Sequence, residues 1–343
     1  MALIAKAPKG TEDKLPFEIH KWHAVEKIIT DIAARYGLKE IRTPTFEHTK
    51  LFQRGVGGTT DIVQKEMYTF KDKKGRSITL KPEGTAGAVR AAIEHGLINA
   101  ALPQKLYYFT NCFRYEAPQS GRLREFSQFG AEVLGADTPY CDAELILFGD
   151  DIIKSLGVKS ELQINSIGCP KCRKGYLKVL KDYFSDKKEY LCQVCLVRLE
   201  RNPMRLLDCK NEDCGKFLKS VPVISDYLCN DCKENFDNVK FFLSEFGVKY
   251  TINYRLVRGL DYYTNTVFEF VSKNIGAQSA LCAGGRYNGL VLELGGPNVP
   301  GIGFAMGLER MILAIGAEDF YFDQDKNCDI YIAGMDRQSF LYA

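Results

Sequence analysis

Residues 105 to 135, KLYYFTNCFRYEAPQSGRLREFSQFGAEVLG, decide the fold. Two runs rich in aromatic and apolar residues, KLYYFTNCFRYE and REFSQFGAEVLG, flank a loop carrying Pro118, Gln119 and Ser120. The pattern predicts two antiparallel strands joined by a hairpin. Arg114, Arg122 and Arg124 stand at the ends of those strands, where they could converge on one anion. Guanidinium stays charged and holds phosphate or carboxylate oxygens through two parallel hydrogen bonds. Taken singly, any one of these arginines reads as a solvated hairpin charge.

Working outward, residues 17 to 36 (FEIHKWHAVEKIITDIAARY) place Ile19, Trp22, Val25, Ile28, Ile29 and Ile32 at helical spacing, with Gly37 as the stop. Strand-like KEIRTPTFE, EMYTFKD and SITLKPE follow, and the helical stretch GTAGAVRAAIEHGL interrupts them. Beyond the hairpin come an amphipathic helix over 142–156 and a strand, ELQINSIG, before the composition changes at Cys169. Strand patterns return with YTINYRLVR, TVFEFVS and QSALCAGG, and GFAMGLERMILAIG reads as a helix. The expected architecture is α+β: an antiparallel sheet flanked by helices, in a discontinuous unit over 1–168 and 251–325. A mainly helical, cysteine-rich insertion fills 169–250. Residues 326–343 read as a strand entering a helix.

The 343 residues are 45% apolar and 26% charged with a net charge of +3, so a disordered chain or a uniformly basic nucleic-acid coat is excluded. No apolar run approaches the roughly 20 residues that span a bilayer, and the first residues lack a signal-peptide pattern, so a cytoplasmic location without membrane partners is expected. No GxxxxGK[ST] occurs. Gly301, Gly303 and Gly307 form GxGxxxG, one residue too long for a dinucleotide fingerprint.

Eight of the twelve cysteines lie in the insertion. Cys169 and Cys172, Cys192 and Cys195, and Cys229 and Cys232 are CxxC pairs, while Cys209 and Cys214 form CxxxxC. The 19 residues between the first two pairs match zinc-ribbon spacing, and two four-thiolate Zn²⁺ sites are open to this set beside buried reduced thiols. Between Lys171 and Lys219 stand 13 basic and 7 acidic residues, a local +6 suited to a polyanion or simply to a solvated face.

Together, FRYE with its hairpin and GIGFAMGLERMIL resemble motifs 2 and 3 of class II aminoacyl-tRNA synthetases, and IRTPTFE resembles motif 1. LVRGLDYYT (256–264) and AGGRYNGLV (283–291) resemble signatures of the histidyl-tRNA synthetase family. The resemblance covers nearly the whole chain, in the family's order. It implies ATP and Mg²⁺ as cofactors, histidine and tRNA(His) as substrates, and a homodimer formed through the motif 1 region. By the same resemblance, Arg114 binds the α-phosphate and the amino-acid carboxylate, and Arg310 the β- and γ-phosphates. Glu116 takes the adenine amino group, Phe126 stacks on the ring, and Arg122 adds to the ATP site. Arg258 faces the α-phosphate from the other side.

The resemblance further implies that Glu83, Thr85 and Gln128 meet the histidine ammonium, while Glu132 and Tyr263, beside Tyr262, engage the imidazole. Glu83 by itself reads as an acid at a helix N-terminus, and the two tyrosines as core aromatics on alternate faces of a strand. Ala117 and Ser127 stand where the family usually has an arginine and a histidine. Residues 326–343 resemble the truncated start of an anticodon-binding domain, missing beyond its first strand, which implies weak order there, with activation retained and tRNA charging weakened. The catalytically inert regulatory subunit of ATP phosphoribosyltransferase is the alternative within the same resemblance.

Overall fold

A computed structural model of the protein describes residues 4–58, 60–273, 279–318, 330, 332–333 and 335–342. Helix α1 (Ile19–Arg35) buries Trp22, Val25, Ile29, Ile32 and Ala33 on one stripe and ends before Gly37, whose positive φ lets the chain turn back. The chain then runs through β1 (Lys39–Glu40), β2 (Phe46–His48), α2 (Thr49–Gly55), β3 (Thr69–Lys71), β4 (Ser77–Leu80) and α3 (Thr85–Glu94). The hairpin follows as β5 (Gln104–Phe113) and β6 (Glu125–Leu134), then α4 (Pro139–Ser155) and β7 (Glu161–Ser166).

The cysteine-rich stretch holds α5 (Pro170–Ser185), α6 (Gln193–Arg201), α7 (Glu212–Phe217) and α8 (Asn230–Glu245), with a 3-10 turn over Pro203–Asp208. After it come β8 (Thr251–Ile252), β9 (Thr264–Val271), β10 (Ala280–Arg286), α9 (Leu290–Glu293), β11 (Gly301–Gly307), α10 (Leu308–Gly316) and a short helix, α11 (Arg337–Tyr342).

Among the described residues one sheet has the order β1-β5-β6-β11-β10-β9-β7-β8, and β2-β4-β3 form a small antiparallel sheet. The five inner pairings of the large sheet are antiparallel as expected, but both edge pairs, β1 with β5 and β7 with β8, run parallel. Its main core face packs Phe129, Phe268 and Phe304 under α4, where Phe148 meets Phe304 with centroids 5.6 Å apart. Burying such a ring contributes about 1.5–3 kcal/mol. Helix α8 lies within the cysteine-rich stretch yet gives Phe236, Val239 and Leu243 to this same core.

Three expected elements change. KEIRTPTFE is two short strands in different sheets, since Pro44 between them has no N–H to pair. GFAMGLERMILAIG begins as strand: Ile302, Phe304 and Met306 alternate with small residues at period two, and helical spacing starts only at Leu308. YTINYRLVR keeps two strand residues, because the Asn253 side chain accepts from the Arg255 N–H at 3.1 Å and turns the chain. The strand expected after Cys328 lies largely outside the described residues.

Candidate active site

Alternation along the central strands builds the site. Phe129, Ala131 and Val133 of β6 enter the core, so Phe126, Gln128, Gly130 and Glu132 take the opposite face. Register sets Tyr108 opposite Gly130 and Gly303 opposite Glu132. A cavity of about 400 Å³ opens on this face. It collects Glu83, Thr85, Arg114, Glu116, Arg122, Phe126, Gln128, Arg258, Tyr262, Tyr263 and Arg310, residues up to 227 positions apart in the chain.

The arginines are held in place and keep donors to spare. Arg114 Nε donates to the Pro82 carbonyl at 2.8 Å, and its guanidinium lies 5.3 Å from the Phe126 ring centroid. Arg310 donates to the carbonyls of Gly121 (2.7 Å) and Ala280 (3.0 Å). Arg258 stands 3.4 Å from the Glu269 carboxylate, and its buried Nε has no hydrogen-bond partner among the described residues. Each guanidinium offers five N–H donors, so each keeps several beyond those named here. Burial, then the charges of Arg122 and Arg114, lowers the Arg310 pKa from its ordinary value, as expected where cations crowd around room for an anion.

The acids are more occupied than the sequence suggested. Glu116 is ion-paired with Arg122, so the carboxylate that the resemblance gives to adenine is taken up within the hairpin. Glu83 accepts from the N–H groups of Thr85 (2.8 Å) and Ala86 (2.9 Å), capping α3 while lining the cavity; burial raises its pKa. Gln128 Oε1 accepts from the Gly84 N–H at 3.2 Å.

Glu132 does not line the cavity: it is fully buried beneath it, and its two oxygens accept from Tyr108 (2.9 Å) and Tyr287. Burial pushes its pKa up to about 8 against the opposing pull of those hydroxyls. Tyr262 and Tyr263 precede β9 in a turn rather than alternating along a strand, and both are buried at the cavity with ring centroids 4.6 Å apart.

Sequence reasoning missed Tyr108, Tyr287, Glu269 and the insertion's Asp208 and Lys210, which reach the cavity or the Glu132 cluster. Tyr287 had a signal in the glycines. A Cβ on Gly301 would overlap the Tyr287 ring, and one on Gly303 would overlap the Glu132 carboxylate, so the GxGxxxG pattern clears room for this pair. Gly284 and Gly285 of AGGRYNG likewise leave room for the backbone of the neighbouring strands, β11 at Gly303 and Phe304 and β9 at Thr266.

The eight insertion cysteines gather into two groups that could hold a metal: Cys169, Cys172, Cys229 and Cys232, and Cys192, Cys195, Cys209 and Cys214. The first CxxC therefore partners the last and not the second, because α5 and α8 bring their N-termini together around the intervening chain.

A centrally antiparallel sheet carrying three arginines over an acid- and tyrosine-lined recess is the catalytic core of a class II aminoacyl-tRNA synthetase. The family model described as histidyl-tRNA synthetase matches residues 10–171 and 219–311. Histidine–tRNA ligase of Caldanaerobacter subterraneus subsp. tengcongensis is 52% identical over 99% of this chain and 82% of its own length, and that of Clostridium novyi 54% identical over 97% and 79%. The crystal structure of apo S. aureus histidyl-tRNA synthetase superposes with a TM-score of 0.80 at 41% identity, covering 99% of this chain and 80% of that one. The chain belongs to the histidyl-tRNA synthetase family.

Proposed function

We infer that the protein is a histidine–tRNA ligase, which activates histidine with ATP and transfers it to tRNA(His). The observation that carries this reading is the convergence of Arg114, Arg258 and Arg310 on one cavity with Glu83 and Gln128. In the first step the histidine carboxylate attacks the α-phosphorus of ATP, the bond to the β,γ-diphosphate breaks, and histidyl-adenylate and pyrophosphate form. Arg114 and Arg258 approach the α-phosphate from two sides and Arg310 holds the β- and γ-oxygens, so charge accumulating on phosphorus meets fixed cations instead of reorienting water. Phe126 stacks on adenine. Glu116 accepts from its amino group once the Arg122 contact yields, and frees Arg122 for the nucleotide phosphates.

Glu83, Thr85 and Gln128 surround the ammonium. Tyr263, beside Tyr262, lines the cavity where the imidazole would sit, and Glu132 engages the ring once a Tyr108 or Tyr287 hydroxyl yields its oxygen; an amino acid lacking those nitrogens cannot make that exchange. In the second step a terminal ribose hydroxyl of tRNA attacks the carbonyl carbon and AMP leaves.

Mg²⁺ would neutralise charge on the polyphosphate; Glu269 and Glu309, which line the cavity and are paired with Arg258 and Lys14, are the carboxylates that would hold it there. The two cysteine groups of the insertion would be the holders of a Zn²⁺ cofactor. The protein acts in the cytoplasm as a homodimer formed through the motif 1 region; no helix among the described residues is long and apolar enough to cross a membrane. Residues 1–168 and 251–325 form the catalytic unit and 169–250 the insertion, whose last helix, α8, packs into the catalytic core. An inert regulatory subunit of ATP phosphoribosyltransferase, the alternative, has no use for a transition-state clamp. Pyrophosphate exchange into ATP decides between them: exchange strictly dependent on histidine is expected, and its absence in folded protein favours the alternative.

A further inference from the structure

The thiol groups of the insertion have a geometry of their own. In each group all four Sγ atoms lie within 4.8 Å of one another. Cys169 and Cys172 are 3.6 Å apart and Cys192 and Cys209 4.0 Å. A disulfide needs about 2.05 Å, whereas a tetrahedral ion at about 2.3 Å from each sulfur sets neighbouring sulfurs about 3.8 Å apart. Cys169, Cys192 and Cys229 each stand at the N-cap of a helix, α5, α6 and α8, with the second cysteine of the pair three residues on, in the first turn. Backbone N–H groups donate to the sulfurs, Cys229 to Cys172 at 3.1 Å and Cys192 to Cys214 at 3.3 Å, and such donors offset thiolate charge.

Both groups grip the loop that carries Arg258, Tyr262 and Tyr263. In the outer group, Arg173, next to Cys172, donates to the Tyr263 carbonyl at 2.9 Å, and Cys232 Sγ lies 3.6 Å from Asn265 Oδ1. In the inner group, the chain between Cys195 and Cys209 sends Arg205 to the Gly259 carbonyl and Asn202 to Asp261 Oδ1, both at 2.8 Å. Cys209 itself stands between Asp208 and Lys210, which line the cavity.

We propose that the two groups are nested Zn²⁺ tetrathiolate sites that clamp residues 258–265 over the substrate cavity, so that ion loss loosens the loop and weakens histidine binding. The choice of zinc follows from four soft ligands and no open position. Each site forms by exchange of four thiol protons for one ion, with no redox step. The effect on histidine rests on the activation reading above; the binding of zinc does not.

The test uses the full chain purified under reducing conditions without added metal. Two zinc ions per chain are expected, one for each group, and Co²⁺ substituted for them should show the strong d–d absorption of a tetrahedral thiolate site. Cys209→Ser should lose one ion and Cys229→Ser the other. Stripping the ions from the intact protein with a mercurial and a chelator should raise the KM for histidine in exchange about ten-fold or more, reversed by zinc. This last arm needs no variant to fold. Well under one ion per chain, with all eight thiols titrating freely, overturns the proposal, as does iron in place of zinc. Stripping that leaves the histidine KM unchanged overturns the clamp. A zinc-loaded protein with tetrahedral cobalt spectra but no exchange would instead remove the activation reading and leave the metal sites standing.

Discussion

Arg258 shows how a single side chain can be committed to a reaction before any substrate arrives. Its guanidinium is tethered by Glu269, stands 6.0 Å from the Tyr263 ring centroid, and keeps a buried Nε without a partner among the described residues. The Nε is closed off from the cavity, so the terminal N–H groups of this cavity-lining side chain are the ones placed to meet a ligand. A group that gains its partner as charge builds on the α-phosphate acts on the transition state more than on the ground state. We therefore expect Arg258→Ala to lower histidine-dependent pyrophosphate exchange by about 100-fold or more with little change in histidine affinity. A variant with wild-type turnover, or one whose loss lies entirely in histidine binding, would remove Arg258 from this role.

At the scale of elements, β11 connects packing to specificity. One face of the strand, Ile302, Phe304 and Met306, completes the core; the other is stripped to Gly301, Gly303, Ala305 and Gly307, which leaves depth for Tyr287 and Glu132. Adding one methyl at Gly303 must displace the buried carboxylate or part β11 from β6. Gly303→Ala is expected to cost about 1–3 kcal/mol of stability, read by denaturant unfolding, and to weaken histidine binding, read by calorimetry. Unchanged stability and affinity would show that Glu132 can move without consequence. The helical period of α10 and the alternation of β11 meet at Gly307, and reading the first as running through the second is what misassigned this segment. Local spacing carries no mark at the point where one period hands over to another.

For the whole molecule, the insertion sends Asp208 and Lys210 to the cavity and also carries an exposed basic surface. Lys171, Lys174, Lys178 and Lys181 are exposed along α5 at three- and four-residue spacing, so they form one charged stripe. If this stripe meets tRNA phosphates, charging should fall steeply as salt rises from about 50 to 200 mM while exchange barely changes, because only the polyanion releases condensed counterions. Equal salt sensitivity of the two reactions would place the tRNA contacts elsewhere. Lys174→Glu with Lys178→Glu should weaken charging alone.

The arginines, the order of the motifs and the pairing of β5 with β6 are legible in the sequence because each is local: a turn, a period of two, a charged residue at a strand end. So are α1, whose apolar stripe needs no partner to be recognised, and α3, whose alanine-rich run favours helix. What faces what was decided by tertiary packing. Glu132 reads as a pocket acid, yet its partners Tyr108 and Tyr287 lie 24 and 155 positions away and meet it only through strand register and the space left by glycines. The nested pairing of Cys169 and Cys172 with Cys229 and Cys232 arises likewise because α8 docks on the catalytic core and carries its cysteines back to the start of α5. Spacing along a chain restricts only contacts short enough for the backbone to dictate; longer ones follow from which apolar faces bury each other.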